Sequence, residues 1–69
     1  MNHHLTPTET RVMELVAYGK RNRQISDALG LTRKTVATYM TRIMSKLEVT
    51  NRTEAAIKWR TEIQDARPR

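Results

Sequence analysis

The stretch LGLTRKTVATYM, residues 29–40, decides how this chain is read. Gly30 closes one apolar run, Thr32 stands in a capping position, and Arg33 and Lys34 open the next run. A helix N-terminus carries partial positive charge and unpaired N–H groups, so cations there are unfavourable unless an anion is the partner. The stretch therefore predicts a tight turn between two helices, with a negatively charged ligand at the start of the second.

Working outward, each neighbouring segment carries its own start and stop signals. Thr6-Pro7-Thr8-Glu9 reads as a capping box with proline at the first helical position, so a first helix runs from Pro7 to near Tyr18 and stops at Gly19. Val12, Leu15 and Val16 share its inner face. Asn22 is the expected cap of a short second helix, whose buried side is marked by Ile25 and Leu29 and whose end is Gly30. Thr32 caps a third helix, from Arg33 to about Glu48, with Val36, Tyr39, Met40, Ile43 and Leu47 on one stripe. Asn51-Arg52-Thr53-Glu54 repeats the cap-plus-Glu pattern and begins a fourth helix reaching about Ile63. The reading is an all-α, compact four-helix domain with a helix-turn-helix at its centre, formed by the second and third helices.

Composition narrows the function. A 69-residue chain is one domain and buries only about 60% of its unfolded surface, so a second copy or a bound partner would add stability. The absence of Cys excludes disulfides and thiolate metal sites and suits a reducing compartment. Apolar runs such as Leu15-Val16-Ala17 are too short for a membrane span or a signal peptide, so a cytoplasmic protein with no membrane partner is expected. Net charge is +6, and it is concentrated: residues 20–60 hold 10 Lys and Arg against Asp27, Glu48 and Glu54. A concentrated basic excess points to a polyanion. His3 and His4 lie in an unanchored terminus, so no metal, cofactor or catalytic site is expected.

The order and spacing of LTPTE (5–9), Gly19, Asn22, QISDALGL (24–31), TRKTV (32–36), IMSKLEV (43–49) and NRTEAA (51–56) resemble the LuxR-type (GerE- or FixJ-like) DNA-binding domain from residue 5 to about 58. Thr8 and Arg11 depart from the family's usual charges, Ser26 replaces a commoner Ala, and Tyr39 a commoner His. Members of that family usually carry a receiver or ligand-binding domain ahead of this module. Only a short arm, residues 1–4, precedes it here, and residues 64–69 read as a frayed basic tail, so a stand-alone regulator is expected.

The third helix then becomes a recognition helix. At about 100° per residue, the face opposite Val36 and Ile43 holds Lys34, Thr38, Thr41, Arg42 and Ser45, with Ala37 at its edge. The N-terminal half of such a helix reaches base edges, which makes Lys34, Ala37, Thr38 and Thr41 the base readers, in agreement with the family's reading positions. The shortage of further cations among them suggests thymine contact, reading of DNA shape and an A·T-rich site. Arg42 lies on the same face, as a phosphate contact. By resemblance, Thr32, Arg33 and Thr35 clamp one phosphate and Lys46 and Arg52 contact a third region, while Arg21, Asn22 and Arg23, placed before the second helix, are expected to grip a second phosphate.

In the fourth helix Ala56, Trp59 and Ile63 form an apolar seam, and the resemblance implies that they and Arg60 make a two-fold dimer interface. The alternative is that Trp59 folds back into the core. The expected function is sequence-specific binding of double-stranded DNA by a homodimer on an inverted repeat, for transcription regulation. The competing reading is a sigma-region-4-like or other partner-dependent module, acting through RNA polymerase or through a protein partner such as an antagonist.

Overall fold

The computed structural model describes residues 5–64, with side chains through Thr61. The proposed arm 1–4, with His3 and His4, most of the proposed tail 64–69, and the side chain of Ile63 lie outside the described residues. Four α-helices follow one another: α1 (Pro7–Ala17), α2 (Asn22–Leu29), α3 (Arg33–Leu47) and α4 (Arg52–Lys58). The last runs into a π-helical segment, Trp59–Gln64. No strand occurs among the described residues, and no helix is long and apolar enough to cross a membrane.

Local chemistry sets most of these boundaries. The Thr6 side chain accepts the Glu9 N–H at 3.1 Å while Glu9 accepts the Thr6 N–H at 2.8 Å, a complete capping box. Thr32 Oγ1 accepts the Thr35 N–H at 3.0 Å, and Asn51 Oδ1 accepts the Glu54 N–H at 2.8 Å. For α2 the expectation needs correcting. Arg21, not Asn22, is the cap residue, and its N–H is satisfied by Gln24 Oε1 at 2.9 Å. Asn22 is already helical and turns its Oδ1 to the Arg52 guanidinium.

The first three helices end in the same way. Lys20 N–H reaches Leu15 O, Leu31 N–H reaches Ser26 O, and Val49 N–H reaches Met44 O, each spanning five residues as in a Schellman motif. The motif needs a left-handed residue before the donor. Gly19 (φ 83°) and Gly30 (φ 69°) supply it without a Cβ penalty, whereas at the end of α3 Glu48 adopts φ 60°.

The core joins all four helices. Val12, Met13 and Val16 of α1 meet Ile25 of α2, the α3 stripe Val36, Met40, Ile43 and Leu47, and Ala55 and Trp59 beyond. Met13 is fully buried although the expected inner face of helix 1 omitted it, and Leu15, Leu29 and Tyr39 pack only partly against the cluster. Trp59 is 4% exposed. Its ring belongs to this core rather than to an exposed seam, because it stands one turn after the fully buried Ala55.

One polar contact ties the scaffold to α3. Glu9, 2% exposed, places the Oε1 atom that caps Thr6 also 2.7 Å from Lys46 Nζ. Burial pushes the Glu9 carboxyl up, but the hydrogen bonds from Lys46 and Thr6, together with the Lys46 charge, outweigh it and hold the pKa below the ordinary 4.5. Glu54, hydrogen-bonded by the Thr50 N–H and hydroxyl, is lowered as well.

A cap lost from α1 together with a broken cross-helix pair should cost about 1–3 kcal/mol, against about 3–10 kcal/mol for a domain of this size. We expect Glu9→Ala to lower the urea midpoint accordingly. Because the folded-state pKa lies below the unfolded value, this stabilisation is present above pH 4.5 and is lost as pH falls through the lowered value. Glu9→Gln should therefore flatten the acid limb of stability against pH in part, with Glu54 supplying a remainder of the same sign. Replacing Glu48 by Gly should relieve the left-handed strain and raise stability by about 1 kcal/mol, read as a higher thermal midpoint.

Candidate nucleic-acid interface

Three residues, Gly30 to Thr32, join α2 to α3 and make the helix-turn-helix. Ser26 stands midway along α2. It is 6% exposed, and its hydroxyl donates to Arg23 O at 2.8 Å, so a small polar side chain is buried with its proton satisfied. With one stripe of α3 sealed in the core, the opposite stripe faces outward. Lys34, Ala37, Thr38 and Thr41, the four expected base readers, are all exposed, as are Arg33 and Arg42.

Hydrogen bonds arrange the polar groups on this face. Thr32 Oγ1 accepts from the backbone of Thr35 and donates to Thr35 Oγ1 at 2.9 Å. The Thr35 hydroxyl lies in the first turn of α3, whose leading N–H groups have no intrahelical acceptors. Thr38 Oγ1 donates to Lys34 O at 3.1 Å, and Thr41 Oγ1 to Ala37 O at 3.2 Å. The Arg42 guanidinium lies 5.9 Å from the Tyr39 ring centroid, which holds the cation against the flank of α3.

The expected phosphate contacts divide into two groups. Arg21, Arg23, Thr32, Arg33 and Arg42 are exposed, and Thr35 is half-buried at the α3 N-terminus. Asn22, Arg52 and Lys46 are instead engaged inside the molecule. Arg52 donates both to Asn22 Oδ1 and to Lys20 O, and so staples the start of α4 to the α1–α2 turn. Bonding at Oδ1 turns the Asn22 amide so that its NH2 group points away from Arg52. Lys46 reaches Glu9, and its charge is balanced there.

The expected dimer residues also separate. Trp59 is in the core, as described, and Ala56 is half-buried. Arg60 is exposed and lines a groove of about 520 Å³ with Lys20, Arg21, Asn22 and Arg52, and among the described residues no acidic side chain lines it. Lys20 was not among the expected contacts. Its place in the short run Lys20-Arg21-Asn22-Arg23 was the available signal. The outer side of α4 presents Ile57, 60% exposed, which the sequence seam also omitted.

Similarities to known proteins agree with this geometry. The model of the family "Bacterial regulatory proteins, luxR family" matches residues 3–59. The chain is 47% identical over 53 residues to the transcriptional regulatory protein LiaR of Bacillus subtilis, a match covering 77% of this chain and 25% of that protein. It is 39% identical over 64 residues to the DNA-binding transcriptional activator DevR/DosR of Mycobacterium tuberculosis, covering 93% of this chain and 29% of that one. The chain thus spans about a quarter of the length of these relatives. Among solved structures it is similar to a chain in the complex of the anti-activator RapF with the DNA-binding domain of the response regulator ComA. That similarity has a TM-score of 0.75 and 40% identity, and covers 77% of this chain and 91% of the other. With the helix-turn-helix, the buried α3 stripe and the family match across most of its length, this chain belongs to the luxR family of bacterial regulatory proteins.

Proposed function

We propose that this chain binds double-stranded DNA in a sequence-specific manner, with α3 in the major groove, and regulates transcription from a cytoplasmic site of action. The observation that carries the reading is the two-sided character of α3. Val36, Met40, Ile43 and Leu47 are at most 5% exposed, while Lys34, Ala37, Thr38 and Thr41 face out between exposed arginines. The first face fixes the helix, and the second is available to base edges.

The phosphate clamp is assigned to Thr32, Arg33 and Thr35 at the N-terminus of α3, to Arg21 and Arg23 at the start of α2, and to Arg42 on the flank. Asn22 contributes its amide NH2, and Arg52 acts chiefly by holding Asn22 in place. Lys46 acts by holding α3 to α1. Lys20 extends the same basic track beside Arg21. Cations at the N-terminus of α3 are then tolerable, because a polyanion outweighs their repulsion from the helix dipole.

Binding as a homodimer on an inverted repeat follows from the two-fold logic of short half-sites. With Trp59 in the core, the seam is assigned to Ala56 and Ile57, with Arg60 at its border. A protein antagonist is a second partner class, favoured by the complex of an anti-activator with the ComA DNA-binding domain. The module is similar in fold to a chain of that complex.

Affinity selection from a random duplex pool at about 150 mM salt, near physiological ionic strength, tests the function. An enriched inverted repeat is expected. Retention without enrichment would put the partner-dependent reading first. Four exposed arginines per copy, Arg21, Arg23, Arg33 and Arg42, predict a slope of log affinity against log salt near about −7 for a dimer. Arg33→Ala should weaken binding to all sequences alike and make that slope shallower by about 1 per copy.

A further inference from the structure

We infer that Thr38 and Thr41 read bases only as hydrogen-bond acceptors and methyl groups, which leaves Lys34 as the sole donor among the four base readers. The inference rests on the DNA-reading proposal above and deepens it. A threonine hydroxyl ordinarily serves as donor or acceptor, but it has one proton. In this helix that proton is directed inward at both positions, to Lys34 O from Thr38 and to Ala37 O from Thr41. Both side chains are exposed, so what they present to a groove is the remaining oxygen lone pairs and the γ-methyl group. Ala37 adds a third methyl.

The major-groove edges of the bases sort against this set. Guanine offers O6 and N7, both acceptors, which a lone pair repels and the Lys34 ammonium matches. Adenine and cytosine offer an amine, and thymine a methyl group beside O4. An A·T pair satisfies an acceptor and a methyl together, whereas a G·C pair places guanine acceptors beside its one amine. Thr38 and Thr41 thus favour A·T.

The arrangement is also directional. Lys34, Ala37, Thr38 and Thr41 follow the i, i+3, i+4, i+7 pattern, so the stripe is about 10 Å long at about 1.5 Å of rise per residue. That matches about three base-pair steps. Each half-site should therefore hold one guanine at the end met by the N-terminus of α3, followed by A·T pairs toward its C-terminus.

The test compares motifs selected by the unaltered protein with those selected by Lys34→Ala, Thr38→Val and Thr41→Val. Valine keeps the shape and a methyl group but has no hydroxyl, and all three positions are exposed, so thermal midpoints close to the parent's verify folding. The expected result is a guanine preference that Lys34→Ala relaxes by about 5- to 150-fold. Both valine variants should leave that guanine unchanged and keep the thymine preference, losing only the preference for an amine. A guanine preference abolished by Thr38→Val or Thr41→Val would overturn the acceptor-only assignment while leaving sequence-specific binding intact. A pool with no enriched motif for the unaltered protein would overturn the DNA-reading proposal, and this inference with it.

Discussion

One carboxylate oxygen connects the scaffold to α3. Glu9 Oε1 receives the Thr6 N–H, which starts α1, and the Lys46 ammonium, which projects from α3 37 residues away in sequence. The carboxylate is almost entirely shielded from water, and it keeps its charge because the donors around it outweigh the cost of burial. The Lys46 side chain is 36% exposed, so the pair has one buried and one wet end. Such a pair avoids most of the penalty of two buried ions while still fixing the direction of the helix that carries the lysine.

The rest of the fold gives that helix its other constraints. Its inner stripe is locked by the shared core, and its start is set by the left-handed Gly30 and the Thr32 cap, three residues after α2 ends. Its far end is closed by the Schellman bond from Val49. With both ends and one face fixed, the outer face has a defined rotation. This is what a base-reading helix requires, since its discrimination depends on which few side chains reach the groove floor. Arg52 repeats the device at the other side of the molecule, tying α4 to the α1–α2 turn through Asn22 and Lys20.

Much of this was legible in the sequence because it is local. Thr6, Thr32 and Asn51 bond to residues three positions on, and Gly19 and Gly30 mark backbone states that favour glycine. The α3 stripe was equally clear, as its period alone separates the buried Val36 and Ile43 from the exposed Thr38 and Thr41. What escaped was non-local. The partners of Lys46 and Asn22 lie 37 and 30 residues away, so both looked like surface groups awaiting phosphate. Trp59 was ambiguous because an apolar seam does not say which neighbour covers it. Here the chain's own core does, and exposed Ile57 is left on the outer side of α4. The threonine hydroxyls were open in sequence for a subtler reason, since their protons have several acceptors within reach and only side-chain rotamers choose among them.

The central claim is that the outer face of α3 meets the bases and the start of α2 meets the backbone. The most direct measurement is a backbone amide NMR titration of the protein with a duplex carrying its selected site. The largest shifts are expected at residues 32–42, with a second set at 21–23 and small changes around Val12, Met13 and Glu9. Shifts confined to residues 48–61, with 32–42 unmoved, would contradict it.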